Sequence, residues 1–377
     1  MKRLKTILIG LLAMLLVCGA GSVYRMATIG KSGDLLTSDF LLEVAKGNVP
    51  GHSHINKYGH NESVDTGPED IWGGGGLYDF YFTSNQTVEA VSTDVDDVGE
   101  LVVSGTATGG SLTTLIDGTA DFVPDGVAVG DVVINDTTGE WATVNFVNST
   151  TLITHTPMTS GSTVQTAIPM VRSHANKSGD TYRIASSADT GAGVIQVEGL
   201  TDSGGGIWIV ATETVILNGQ TDVAITMEFI RLYRSYVLHA GSSSTNEGTI
   251  SVEVDATVNS GTNIITMDGQ SQQANMTVPS GKTGYFIKGY VGLGSRANPQ
   301  TAGSAVFTWR ARANNGSTGV FSVKGQIETM TTAMQFWIYE YGISVGIPEK
   351  ADIIIRCDST TSDMGVVGAF DMMFVDN

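Results

Sequence analysis

From Leu77 onward the chain alternates apolar and polar positions with a period of two. The clearest stretch is residues 248–258. Ile250, Val252, Val254, Ala256 and Val258 fall on one face, and Thr249, Ser251, Glu253, Asp255 and Thr257 on the other. Alternate side chains of an extended backbone point to opposite sides, so this pattern predicts a half-buried strand. Further strands are read at 182–186, 193–198, 206–212, 213–217, 221–230, 262–267, 284–292, 304–312, 318–327, 334–341, 351–357 and 366–375. Asn218-Gly219, between two of these, predicts a hairpin because both residues tolerate positive φ. Many short strands with turn signals between them predict an all-β fold, with a β-sandwich or jelly-roll-like body.

Residues 334–341 are apolar on both faces: Met334, Phe336 and Ile338 on one, Trp337, Tyr339 and Tyr341 on the other. Such a strand is either central and covered on both sides, or it offers an aromatic patch to a second subunit. On the second reading Trp337, Tyr339 and Tyr341 are the candidate interface residues. Cys357 alternates with Ile353 and Ile355, as a buried small hydrophobe would.

Ahead of the β region the periodicity stops. Residues 35–45 predict one short helix, capped by Ser38 or Asp39. Residues 46–76 are rich in Gly, His and Asn and predict an extended segment ordered by docking. Trp72 is the expected anchor, since a lone aromatic in a glycine-rich arm buries well in a partner pocket. The expected organisation is therefore a docking arm over 26–76 and a body over 77–103 and 178–377. A small inserted β module is expected over 104–177. Similar Ser, Gly and Val spacings on either side of the module, at Ser92, Gly99 and Val103 and at Ser186, Gly193 and Val197, hint at a duplicated attachment point.

Composition narrows the function classes. The 377 residues carry a net charge of −18, with 47 Gly, 8 Pro and 41% hydrophobic residues. That hydrophobic fraction can build cores, which argues against disorder. The negative charge argues against a nucleic-acid partner, because phosphate neutralisation needs Lys and Arg. Cys18 and Cys357 are the two cysteines, so disulfides are not expected to staple the fold. At the N-terminus Lys2, Arg3 and Lys5 precede the apolar run Ile7 to Cys18, followed by Gly19-Ala20-Gly21-Ser22. This is the order of a secretory signal. Two other readings stand beside it: a false extension ahead of a true start at Met26, and a retained anchor.

Candidate chemistry is sparse. His52, His54 and His60 are weak metal candidates, with His52 and His54 on one face of an extended strand. Asp94, Asp96, Asp97 and Glu100 form an acidic knot without the spacing of a calcium loop. Gly281-Lys282-Thr283 lacks the first glycine of a phosphate loop, since Met276 occupies that position. No catalytic residue, metal or cofactor is expected.

Several short motifs occur in a definite order. They begin with Val44-Ala45-Lys46-Gly47, Pro50-Gly51-His52-Ser53 and Asn56-Lys57-Tyr58-Gly59-His60-Asn61. Pro68-Glu69-Asp70-Ile71-Trp72 follows, then Ser186-Ser187 with Asp189 and Gly191 to Gly193, Glu198-Gly199-Leu200, Leu217-Asn218-Gly219 and Phe229-Ile230-Arg231. Val278-Pro279-Ser280-Gly281-Lys282-Thr283-Gly284 and Pro348-Glu349-Lys350-Ala351-Asp352-Ile353 close the series. In this order the chain resembles a group of structural proteins of tailed-bacteriophage particles, over residues 44–355 apart from the insertion. The resemblance implies a non-enzymatic head decoration, fibre or tail component, located in the virion. It would dock through an N-terminal arm containing Lys57, Tyr58, Asn61, Ile71 and Trp72. The implied partners are other virion proteins, further copies of the chain (a trimer by analogy) and a host-surface glycan. The alternative is a secreted or envelope-bound adhesin or carbohydrate-binding β-sandwich protein, exported by the signal-like segment. Phage proteins assemble without such a signal, so residues 1–25 separate the two readings.

Overall fold

The computed structural model describes residues 40–160, 176–187, 190–254, 261–295, 304–313, 319–330, 335–341, 346–362 and 364–377. The chain is all-β, as its period-two patterning requires. The predicted strand at 304–312 is observed as Ser304–Arg312, and that at 366–375 extends to Met364–Asp376. Residues 206–217, read as two strands, form one, Trp208–Ile216. The signal-like segment, the two helix-cap candidates, residues 255–258 of the clearest predicted strand and Met334 lie outside the described residues. Phe40–Ala45 is the helical remainder of the predicted helix.

The described strands divide among five sheets rather than forming one jelly roll. Two of the sheets make a local sandwich. The outer sheet has the spatial order His52–Val64, Met364–Asp376, Lys282–Ser295, Gln335–Glu340, with neighbours antiparallel. It packs on a central sheet built around Asp352–Ser359 and Ser304–Arg312. Between them lies the largest core, with Phe286, Phe370 and Phe374 from the outer sheet and Phe307, Trp309, Ile353, Ile355 and Cys357 from the central one. Ile354 points the other way, into a second core with Trp72, Phe80, Phe229 and Leu232. Residues 353–355 are thus covered on both faces, which explains the run of three isoleucines. Burial pushes the Cys357 thiol up to about 12, so it behaves as a small hydrophobe.

The second core also receives a three-stranded sheet (Trp208–Ile216, Ala192–Asp202, Arg231–Ala240) and a four-stranded sheet containing Glu89–Ser92 and Ile250–Glu253. Asn218-Gly219 does make a turn, closed by an Asn218–Thr221 bridge. The strand after it does not return along Trp208–Ile216. Val223–Ala224 pairs instead with Glu89–Ala90, so the expected hairpin is replaced by a change of sheet. Residues 99–187 contribute an eight-stranded sheet with its own core, including Leu115, Phe122, Val133, Ile153 and Ile184. Its first and last strands in sequence, Gly99–Thr106 and Thr181–Ser187, lie side by side.

Buried polar knots join these layers. Asp352 accepts from Arg231 Nε at 2.7 Å, Arg312 Nε at 2.9 Å and the Thr277 hydroxyl at 2.7 Å. Asp97, from the acidic knot, is fully buried. Its carboxylate accepts from Ser92 Oγ (2.6 Å) and from the backbone amides of Ala192 (2.7 Å), Glu247 (2.9 Å) and Gly248 (2.8 Å). Four donors use the acceptor capacity of one carboxylate. Asp97 is therefore a structural tie between three chain segments.

The segment expected to be an arm is part of the body. His52–Val64 is a 13-residue strand along the edge of the outer sheet, and Gly67–Asp70 joins the central sheet beside Asp352–Ser359. The inward positions of the first strand include Ser53, Lys57, Gly59 and Asn61, so no apolar period advertises it. Gly59 sits against neighbouring backbone: a Cβ there would lie 2.4 Å from Ala274 N and 2.5 Å from Ile71 O. Close backbone approach, rather than side-chain burial, selects the residue at this point.

Candidate functional site

The register of the outer sheet lines up its outward side chains in rows. One row is Tyr58, Ala369, Tyr290 and Ile338; the next is His60, Val367, Gly292 and Phe336. Beside them runs a polar row of Asn56, Asp371, Lys288 and Glu340. The two apolar rows are open: Phe336 is 64% exposed, Ile338 54% and Tyr58 44%. Tyr290 stacks on Phe336 with ring centroids 6.4 Å apart. The polar row is internally paired. Asn56 Nδ2 donates to Asp371 at 2.5 Å, the Tyr290 hydroxyl donates to it at 2.9 Å, and Lys288 pairs with Glu340 at 3.2 Å. Burial, then the Asp371 carboxylate, pushes the Tyr290 hydroxyl up to about 12. In a chain of net charge −18 this is an apolar surface bordered by one ion pair, Lys288 with Glu340, and by an Asp371 carboxylate held by two neutral donors.

The predicted site residues divide between this face and the interior. Tyr58 is on the face. Trp72 is 1% exposed, with its indole edge-on to Tyr78 (5.3 Å) and its N–H donating to Gly76 O at 3.3 Å. A Cβ at Gly74 would lie 2.3 Å from the indole, so the glycine run wraps the ring of its own chain. The pocket expected on a partner is intramolecular. Ile71 is buried in the main core. Asn61 is buried and donates to Glu69 at 2.9 Å, while Glu69 accepts from the amides of Asp65 (2.8 Å) and Gly76 (2.9 Å). These contacts fold the segment onto itself.

The strand 335–340 is an edge, not a central strand, among the described residues. Its candidate interface residues face inward. Tyr339 lies 5.6 Å from Trp309, Tyr341 stacks on Phe286 at 5.1 Å, and Trp337 packs against the same core. Phe336 and Ile338, on the opposite side, are the ones exposed. Alternation separates two faces but does not say which one meets the core.

His52, His54 and His60 all lie on the outward face. His52 Nδ1 is 3.0 Å from Pro50 O, and His54 Nε2 is 3.9 Å from Asp371. At about 3.3 Å per residue, His54 and His60 stand roughly 20 Å apart, too far for one ion. Among the described residues no group of three or more His, Cys, Asp or Glu is placed to hold a metal.

Behind the same strand lies a pocket of about 270 Å³, and Lys57 is its notable residue. Tyr58 points out while Lys57, one residue earlier, points in. The Lys57 amine donates to Tyr233 O at 2.5 Å and lies 5.3 Å from the centre of the Tyr233 ring. Glu198, Arg234, Ser271 and Met276 complete the wall. Burial, and then the Arg234 charge, lower the Lys57 amine to about 7, with Glu198 opposing the shift. Glu198 and Arg234 come from strands distant in sequence, and nothing in the sequence signals their meeting with Lys57.

No family model matches the chain, and no curated protein matches it. Among solved structures, the mosquito-larvicidal Cry4Aa toxin of Bacillus thuringiensis aligns at 8% identity with a TM-score of 0.17. That alignment covers 72% of this chain and 54% of the toxin chain. A likeness of that size bears on neither fold nor activity. No helix of the described residues is long and apolar enough to cross a membrane.

Proposed function

We propose that this chain is a non-enzymatic structural subunit of a tailed-phage particle, joined to further copies of itself through the outward face of its outer sheet, with other virion proteins as partners of the resulting assembly. The observation that carries the reading is the contiguous surface formed by Tyr58, Tyr290, Phe336 and Ile338. An exposed apolar patch of this kind, bordered by polar residues, marks an interaction site more often than free surface. The ordered motifs of residues 44–355 support the phage setting. The docking element is then a face and not an arm, with Tyr58 as the contribution of the 46–76 segment. Mass spectrometry of purified particles tests this directly. The protein should be present in many copies per particle.

A second reading, an exported adhesin or glycan-binding protein, draws on the basic, apolar and small-residue order of residues 2–22. Recovery of the protein from the cell envelope or the medium, with its N-terminus cut after the apolar run and none in particles, would replace the first reading with the second.

A further inference from the structure

The outer sheet presents its proposed assembly surface on one side and, on the other, the Lys57 pocket. That pocket has the parts of a covalent ligand site. A lysine on the inward side of an edge strand has a bland explanation: inward charges discourage edge-to-edge pairing. Such a residue needs no cavity and no charged neighbour. Lys57 has both. Its amine borders a space of about 270 Å³ whose wall includes Ile55, Tyr233 and Met276 beside polar groups. Glu198 supplies a carboxyl group in the same space, and Arg234 a fixed positive charge that also donates to Gln270 at 3.0 Å.

We propose that this pocket captures small uncharged aldehydes by condensation with the Lys57 amine. The amine nitrogen adds to the carbonyl carbon and the carbonyl oxygen takes up a proton. The carbinolamine then loses water as the C=N bond forms. The proton that leaves the nitrogen is the one the oxygen gains, with Glu198 in the pocket wall as a group able to relay it, and no oxidant or reductant is consumed. Within the pocket the Glu198 and Arg234 charges offset each other, which leaves no net site for a charged ligand, and the net charge of −18 of the whole chain disfavours the approach of anionic carbonyl compounds. The amine is suited to attack near neutral pH because desolvation and Arg234 hold it at about 7. An ordinary exposed lysine is roughly a thousandfold less deprotonated at that pH.

The test is trace labelling of the full protein with propionaldehyde at pH 7.2, trapped by cyanoborohydride and mapped by peptide mass spectrometry. Lys57 should be propylated at least ~10-fold faster than the more exposed Lys46 and Lys288. Its rate should fall off below pH 7, and glyoxylate, a charged aldehyde, should lose the preference. Arg234→Gln should move the pH profile upward and slow labelling at pH 7.2, a change that a purely structural role for Arg234 would not produce. Labelling of Lys57 no faster than Lys288 overturns the proposal. So does preferential acetylation of Lys57 by acetic anhydride without matching aldehyde capture, because the amine would then be nucleophilic without a ligand pocket.

Discussion

Arg231 and Asp352 lie 121 residues apart in sequence and meet through a 2.7 Å hydrogen bond in the interior, where Arg312 takes the other carboxylate oxygen at 2.9 Å. Two guanidinium groups therefore share one buried anion. The Tyr81 ring packs against both, 5.3 Å from Arg231 and 4.2 Å from Arg312. Removing the carboxylate leaves both cations desolvated without a counter-charge. Asp352→Asn should destabilise the protein by about 3–5 kcal/mol, measured by urea unfolding. Replacing all three residues with hydrophobes of similar volume should cost much less. Equal losses for both variants would show that packing, and not charge, governs this joint.

Trp72 decides between an arm and a body. A ring enclosed by its own chain contributes to folding, and a ring waiting for a partner does not. Trp72→Ala should lower stability by about 3–5 kcal/mol in the isolated protein. An unchanged unfolding midpoint would restore the docking-arm expectation.

Lys57 gives a pH signature with a defined sign. Its folded amine releases a proton near pH 7, while the unfolded chain holds that proton to about 10.4. Between these values the unfolded state binds more protons, so stability rises with pH. The stability advantage of Lys57→Met over the wild type should therefore be largest below pH 7 and shrink toward pH 10. An advantage independent of pH would mean that the amine is not desolvated in the fold. Paired denaturation curves at pH 6 and pH 9 suffice.

Strand positions were legible wherever one face met a core. Ile250 and Val252 are buried in a strand, as their alternation predicts, and Ser304–Arg312 has the predicted bounds. Partners were less legible. The Asn218-Gly219 turn is local, but the choice of Glu89–Ala90 as the next partner depends on contacts more than a hundred residues away. The His52–Val64 strand was hidden because its inward side carries Ser53, Lys57, Gly59 and Asn61 where a pattern search expects hydrophobes. The candidate face was half visible: Phe336 and Ile338 stood out as one side of a strand, yet only the register joins them to Tyr290 and Tyr58.

Sedimentation velocity over a concentration series reads whether this face assembles subunits. The wild type should self-associate as concentration rises, whereas Ile338→Glu should sediment as a monomer with an unchanged unfolding midpoint. The side chain points to solvent, so the substitution leaves the core intact. A wild type that stays monomeric throughout, or an Ile338→Glu variant that associates as strongly as the wild type, would contradict the account.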